Sequence, residues 1–249
     1  DTTGAYNGVT TGQNLTEKRS QDELIRDAVE KAAKADYVIF FGGLNKSDYQ
    51  DCEGHDRKSY ELPYNQNHVI EALAQANKNL VYVNISGNAV AMPWSHQVPA
   101  IVQGWFIGSD AGNALADVLT GDINPSGKLP FTWPLSLQDV GAHKLNAYPG
   151  VWRPDHQIID EEYKEGIYVG YRWVDKEKTR PLFAFGHGLS YTTFKLSDLR
   201  ESSPEISRDG NITFTVNVKN TGKYDGSETV QLYIHDVKSS LDRPNKELK

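Results

Sequence analysis

The chain reads as an α/β protein: a mostly parallel sheet with helices on both faces, followed by part of an antiparallel β-sandwich. Three observations predict this. Unbroken apolar runs ended by glycine or polar residues, YVIFFGG at 37–43, LVYVNIS at 80–86 and AIVQGWF at 100–106, have the pattern of parallel strands buried on both faces. Stretches with apolar residues at helical spacing separate them, and strands alternating with helices make right-handed βαβ units. Beyond residue 193 the period changes. ITFTVNVKNTG at 212–222 and SETVQLYIHD at 227–236 alternate apolar with polar, as half-buried antiparallel strands do.

The elements follow in order. Residues 1–20 are rich in Gly, Thr and Asn without periodicity, so a loop or extended arm is expected there. Leu24, Ile25, Ala28, Val29, Ala32 and Ala33 then keep helical spacing, with Ser20 as N-cap and Glu23 completing a capping box. The strand at 37–43 leads into the polar segment DCEGHDR. A helix at 65–76, built on Val69, Ile70, Leu73 and Ala74, precedes the strand at 80–86. After the third strand, 108–121 is a helix with small residues at its mouth and Gly121 past its end, and KLPFTWP adds a Pro-containing edge strand. Residues 135–180 lose the alternation and are expected to form a long, ordered loop excursion carrying aromatic and glycine clusters. The domain boundaries are therefore 1–20 (arm), 21–193 (α/β domain) and 194–249 (the opening of a fibronectin-III-like sandwich). A complete sandwich needs about seven strands in about 100 residues, so this one is expected to be truncated.

Composition excludes several function classes. The 249 residues are 38% hydrophobic and 24% charged, an ordinary globular balance, with a net charge of -7. No basic stripe is available to displace counterions from phosphates, so nucleic acid is not an expected partner. No apolar run reaches the roughly 18 residues of a membrane span. Cys52 is the only cysteine, which removes intrachain disulfides and paired-cysteine metal sites. No signal peptide pattern opens the sequence, which begins with Asp1, so a processed or excised segment is expected. Ser86 precedes Gly87 but lacks the G-x-S-x-G elbow of a serine hydrolase. The sequon at Asn84 falls inside an expected buried strand, so the four sequons (Asn14, Asn45, Asn84, Asn211) read as chance composition.

Three segments carry the chemistry: DCEGHDR at 51–57, GKLPFTWP at 127–134 and PLFAFGHGLSYTTF at 181–194. By residue type alone, the first is a solvated polar loop. It nevertheless lies beyond the carboxyl end of a parallel strand, where open α/β sheets bind ligands. GHG at 186–188 lacks the G-x-G-x-x-G spacing of a phosphate loop, so His187 reads as a structural histidine. GSDAGNAL at 108–115 reads as close helix–sheet packing in preference to an anion site.

In their order and spacing these segments resemble the C-terminal half of a glycoside hydrolase family 3 enzyme of the β-glucosidase type, over almost the whole chain. The resemblance implies that Glu53 is the catalytic general acid/base and Asp51 the runner-up acid. Asp56 and Arg57 would hold the loop by charge-assisted hydrogen bonds. It also implies a nucleophilic aspartate on an N-terminal (β/α)8 barrel, a partner domain outside this sequence. Retaining hydrolysis uses two carboxyl groups about 5–5.5 Å apart, and the acid must hold its proton near neutral pH. The expected substrate is a β-linked gluco-oligosaccharide cut at its terminal β-D-glucosyl unit, with neither metal nor organic cofactor implied. Tyr49, beside the acid loop, is a candidate wall for the sugar, because aromatic faces pair with the C–H faces of sugar rings. Trp105 and Trp152 are weaker candidates. The chain alone is expected to turn over nothing. The open alternatives are a β-xylosidase of the same family, and a non-catalytic carbohydrate-binding or interaction module in which Glu53 is vestigial. A periplasmic or secreted location follows from the resemblance alone.

Overall fold

The computed structural model describes residues 18–46 and 49–249; the arm expected at 1–20 lies largely outside the described residues. The chain divides into two compact units. One holds the residues up to Ala111 together with Pro134–Lys144, and the other holds Gly112–Trp133 and Leu145–Lys249.

The first unit is built on a parallel sheet. Helix α1 (Gln21–Lys34) starts where the sequence places it. Ser20 Oγ accepts the Glu23 N–H and Glu23 Oε2 accepts the Ser20 N–H, so two unpaired donors of the first turn are satisfied. Strand β1 (Val38–Gly43), helix α2 (Gln66–Ala76), strand β2 (Leu80–Ile85) and strand β3 (Ala100–Gln103) follow, in sheet order β1-β2-β3. Val38 lies beside Leu80, Phe41 beside Val83 and Val81 beside Ala100. Helices α1 and α2 pack together, and α2 also lies against β1 and β2. Leu24 and Ile25 of α1, Val69, Ile70, Leu73 and Ala74 of α2, and Leu80, Tyr82 and Val83 of β2 are buried. Each large aliphatic among them contributes about 1.5–3 kcal/mol by leaving water. Trp94 meets Tyr82 edge-on at 4.7 Å and donates from Nε1 to Asn67 Oδ1 at 2.8 Å. At the far end of α2, Asn77 donates to the carbonyls of Ala32 and Ala35, tying α2 to the last turn of α1.

One expectation for β1 needs correction. Its apolar run is not buried on both faces, for Ile39 and Phe41 are 48% and 53% exposed. Side chains alternate across a strand. Phe40 and Gly42 point to the side occupied by Tyr82 and by Gln66 of α2, whereas Ile39 and Phe41 point the other way. Among the described residues, β1 also has a strand neighbour, β2, on one side only.

In the second unit, helix α3 (Ala111–Thr120, whose first residue belongs to the first unit) stops at Gly121, whose φ of +86° is the left-handed value a glycine supplies at a helix end. KLPFTWP does not form the expected strand. It makes one antiparallel bridge, Trp133 to Phe183, flanked by bonds between Leu129 and residues 186–187. Pro130 has no N–H to continue the ladder. His187 stacks on Phe183 at 5.1 Å and donates its N–H to Ala184, the structural role expected of it. Residues 135–180 are more regular than a loop excursion. Helix α4 (Gly141–Lys144), within the first unit, follows a 3-10 turn at Leu137–Asp139. In the second unit, β4 (Val151–Arg153) pairs antiparallel with β5 (Ile158–Asp160), and α5 spans Tyr171–Glu177. These pieces are too short for their periodicity to register in the sequence. Strands β6 (Phe194–Glu201) and β7 (Phe214–Asn220) pair antiparallel. The strand expected at 227–236 shrinks to β8 (Tyr233–Ile234), because only the two residues of β9 (Glu247–Leu248) lie beside it. The molecule thus combines a parallel sheet and helices with small antiparallel sheets.

Candidate active site

The candidate site grows from the carboxyl ends of the parallel strands. At Gly43, where β1 ends, φ is +126° and a Cβ would sit 2.1 Å from the Ile85 carbonyl oxygen, so glycine is required for the chain to leave the sheet. Gln66, the first residue of α2 and only 1% exposed, reaches back to this point. Its Oε1 accepts the Gly43 N–H at 2.8 Å, and its Nε2 donates to the carbonyls of Gly43 at 2.8 Å and Pro63 at 3.0 Å. The side-chain amide bonds to β1 as the peptide of another strand would. Both ends of the excursion at 44–65 are thereby fastened at one place.

Inside the excursion, Asp51 donates its N–H to Asn45 at 3.0 Å, and Gln50 Nε2 donates to the Tyr64 hydroxyl at 2.6 Å. Two side chains then cross to the loop after β2. Asp51 Oδ2 accepts the Gly87 N–H at 2.7 Å, and Arg57 Nη2 donates to the Ala89 carbonyl at 2.6 Å. Burial of the Arg57 guanidinium pulls its pKa below the ordinary arginine value, and the negative charge of Asp51 opposes that shift. Arg57 also lies 6.0 Å from the Tyr60 ring, and Tyr60 donates to the Pro134 carbonyl at 2.7 Å.

Glu53 stands on the outer turn of this loop, exposed, beside Gly54 at φ +90°. Asp51, the other candidate acid, is half-buried and turned inward to Gly87. Arg57 is half-buried and bonded to the Ala89 carbonyl, whereas Asp56 is exposed on the same loop. Tyr49 is 43% exposed and near Glu53 in sequence, but its ring is occupied. The Lys58 Nζ sits 3.6 Å from its centroid and the His55 ring 4.9 Å away. Cys52 Sγ is 3.5 Å from the His55 carbonyl oxygen. Among the described residues no group of three or more His, Cys, Asp or Glu side chains is placed to hold a metal.

Sequence reasoning missed three features of this edge. Reading 100–106 as one strand hid Phe106, yet β3 ends at Gln103 and leaves Phe106 41% exposed, near Gly87 and 5.2 Å from Lys46 Nζ. Gly104 inside the apolar run was the available signal. No local pattern announces the Gln66 amide or the bond from Asp51 to Gly87, because both are long-range. Trp105 is half-buried at φ +52°, and Trp152 is exposed on the β4–β5 hairpin in the other unit. Ser86 and Asn84 are fully buried and bonded to each other, consistent with neither a hydrolase nucleophile nor a glycosylated asparagine.

Residues 2–191 match the model of the glycosyl hydrolase family 3 C-terminal domain. A β-glucosidase from Bacteroides ovatus is 56% identical over 230 residues, covering 92% of this chain and 30% of that protein. The thermostable β-glucosidase B of Acetivibrio thermocellus is 44% identical, covering 96% of this chain and 30% of that protein. The crystal structure of a Kluyveromyces marxianus β-glucosidase in complex with glucose superposes with a TM-score of 0.82 at 42% identity, covering 94% of this chain and 26% of that one. The chain thus spans about 30% of the length of the curated relatives it matches. It belongs to glycosyl hydrolase family 3 and corresponds to that family's C-terminal domain.

Proposed function

We propose that this chain is the C-terminal portion of a retaining β-glucosidase and that Glu53 supplies its general acid/base. The observation that carries this reading is the placement of Glu53: an exposed carboxylate beyond the carboxyl end of β1, on a loop anchored by Asp51 and Arg57. The 56% identity to a β-glucosidase supports the substrate class. An N-terminal (β/α)8 barrel would contribute an aspartate that attacks the anomeric carbon of a terminal β-D-glucosyl unit. Glu53 would protonate the departing glycosidic oxygen, then take a proton from the water that opens the glycosyl-enzyme. Asp56 and Arg57 serve the loop's shape and Tyr49 its sugar-facing rim; Lys58 above the Tyr49 ring would have to move for the ring to stack on a sugar. Residues 194–249 begin a fibronectin-III-like sandwich, a reading supported by the antiparallel pair β6–β7. A periplasmic or secreted location remains part of this proposal; no described helix is long and apolar enough to cross a membrane.

The test is Glu53→Gln in the full-length protein. Hydrolysis of cellobiose, a poor leaving group, is expected to fall by about 10²–10⁴-fold, the usual worth of general acid catalysis. The kcat/KM for 2,4-dinitrophenyl β-D-glucoside, which reports the first step and whose leaving group needs no proton, should suffer less. Equal, unchanged rates on both substrates would leave Glu53 without a catalytic role and favour a non-catalytic module.

A further inference from the structure

We infer that Asp51 is a positioning residue, whose carboxylate fixes where the acid/base loop stands; the inference rests on the reading of Glu53 as the acid/base. Two residues before Glu53, the chain is fastened on both sides. The Asp51 N–H donates to the Asn45 carbonyl at 3.0 Å within its own loop, and Oδ2 accepts the Gly87 N–H at 2.7 Å from the loop after β2. On the far side of Glu53, Arg57 donates to Ala89, two residues from Gly87, at 2.6 Å. The loop therefore leaves and rejoins the same short segment, 87–89, through two charged side chains of opposite sign. Glu53 lies between these anchors, exposed beside Gly54.

The physical consequence is specific. A loop tip carrying a catalytic group keeps its place only if its flanks do, and misplacement by about 1 Å can cost about 10²-fold in rate. Phe106 reinforces the anchor from above, since a Cβ on Gly87 would come within 3.2 Å of its ring. The Phe106 ring thus packs beside Gly87, whose N–H the Asp51 carboxylate accepts. The same geometry argues against Asp51 as the proton carrier: one of its oxygens is committed to a backbone donor in its own unit, whereas the Glu53 side chain is exposed.

The experiment compares Asp51→Ala, Asp51→Asn and Glu53→Gln in the full-length protein, with kcat/KM on cellobiose and on 2,4-dinitrophenyl β-D-glucoside, pH profiles, azide rescue and melting temperature. Asp51→Ala is expected to lower kcat/KM on cellobiose by about 10- to 100-fold, with a smaller loss on the activated substrate. It should keep the alkaline limb of the pH profile, because Glu53 is still the acid. Asp51→Asn still offers Oδ1 to the Gly87 N–H and should restore most of the activity. Azide attacks the anomeric carbon of the glycosyl-enzyme without needing a base, releasing the nucleophilic carboxylate and giving glucosyl azide. It should rescue Glu53→Gln on the activated substrate, but not Asp51→Ala, in which the Glu53 carboxylate remains. The inference is overturned if Asp51→Ala matches the wild type on both substrates. It is equally overturned if both Asp51 variants lose both substrates in parallel with a lowered melting temperature, or if azide rescues Asp51→Ala. Glu53→Gln without a leaving-group effect or azide rescue refutes the underlying assignment of Glu53 instead.

Discussion

Replacing Gln66 by leucine tests what holds the strand end from which the candidate-site loop departs. The two side chains are close in size, so the substitution removes hydrogen-bonding atoms without opening a large cavity. Gln66 is 1% exposed and makes three bonds, of which the two to the Gly43 N–H and carbonyl, each 2.8 Å, satisfy backbone groups at the end of β1. Leaving a buried donor or acceptor unpaired costs about 1–3 kcal/mol each. The Pro63 carbonyl is part-buried and can turn to water, so it adds little. Leucine gains about 1 kcal/mol of transfer free energy relative to the amide, and the net loss comes to about 1–5 kcal/mol. For a chain of this size each kcal/mol lowers the melting temperature by about 2–4 °C, so a decrease of about 2–20 °C is expected. The assay is urea denaturation with thermal melting: the midpoint should drop with the slope unchanged. Gln66→Glu adds a check on mechanism. Its carboxylate accepts the Gly43 N–H but opposes two carbonyls, so stability should recover as acid protonates it. A Gln66→Leu variant within about 0.5 kcal/mol of the wild type, the scale of a neutral surface change, would refute the reasoning.

Two further predictions concern stability away from the site. Ser20→Ala removes the Oγ that accepts the Glu23 N–H at the start of α1; loss of about 1 kcal/mol is expected, read as a melting temperature lower by about 2–4 °C, with Ser20→Gly nearer to wild type. The Glu228 carboxylate is held below its ordinary pKa by its hydrogen bond to Lys128, then by the Thr229 N–H. A group with a depressed folded-state pKa stabilises fully above its unfolded value and loses that contribution as pH falls through the folded one. Melting temperatures between pH 6 and 3 should therefore fall less steeply for Glu228→Gln than for the wild type, and an identical slope would refute the assignment.

Local patterns in the sequence were enough to determine the elements of the parallel sheet. The capping box at Ser20, the helix on Val69, Ile70, Leu73 and Ala74, and the runs that became β1, β2 and β3 depend on contacts a few residues apart and on a hydrophobic period, and both are written locally. The DCEGHDR segment was legible as the loop that follows a strand end, while its role in chemistry came from the resemblance alone. What failed was whatever depends on a neighbour far along the chain. KLPFTWP looked like a strand by composition, but its prolines left one bridge to Phe183. The run at 227–236 alternated as a strand should, yet paired over only two residues. β1 looked buried on both faces because an apolar run cannot report which face lacks a cover.

At the candidate site the division is the same. Sequence alone put two acidic residues, Asp51 and Glu53, within three positions of each other and could not separate their roles by residue type. The tertiary structure separated their surroundings: it brought the Gly87 amide, thirty-six residues away, to 2.7 Å from Asp51 and left Glu53 exposed. A backbone N–H has no side-chain identity, so no sequence pattern can announce which one a carboxylate will meet. Only the packing of β1 beside β2, which sets the loops after both strands side by side, decides that.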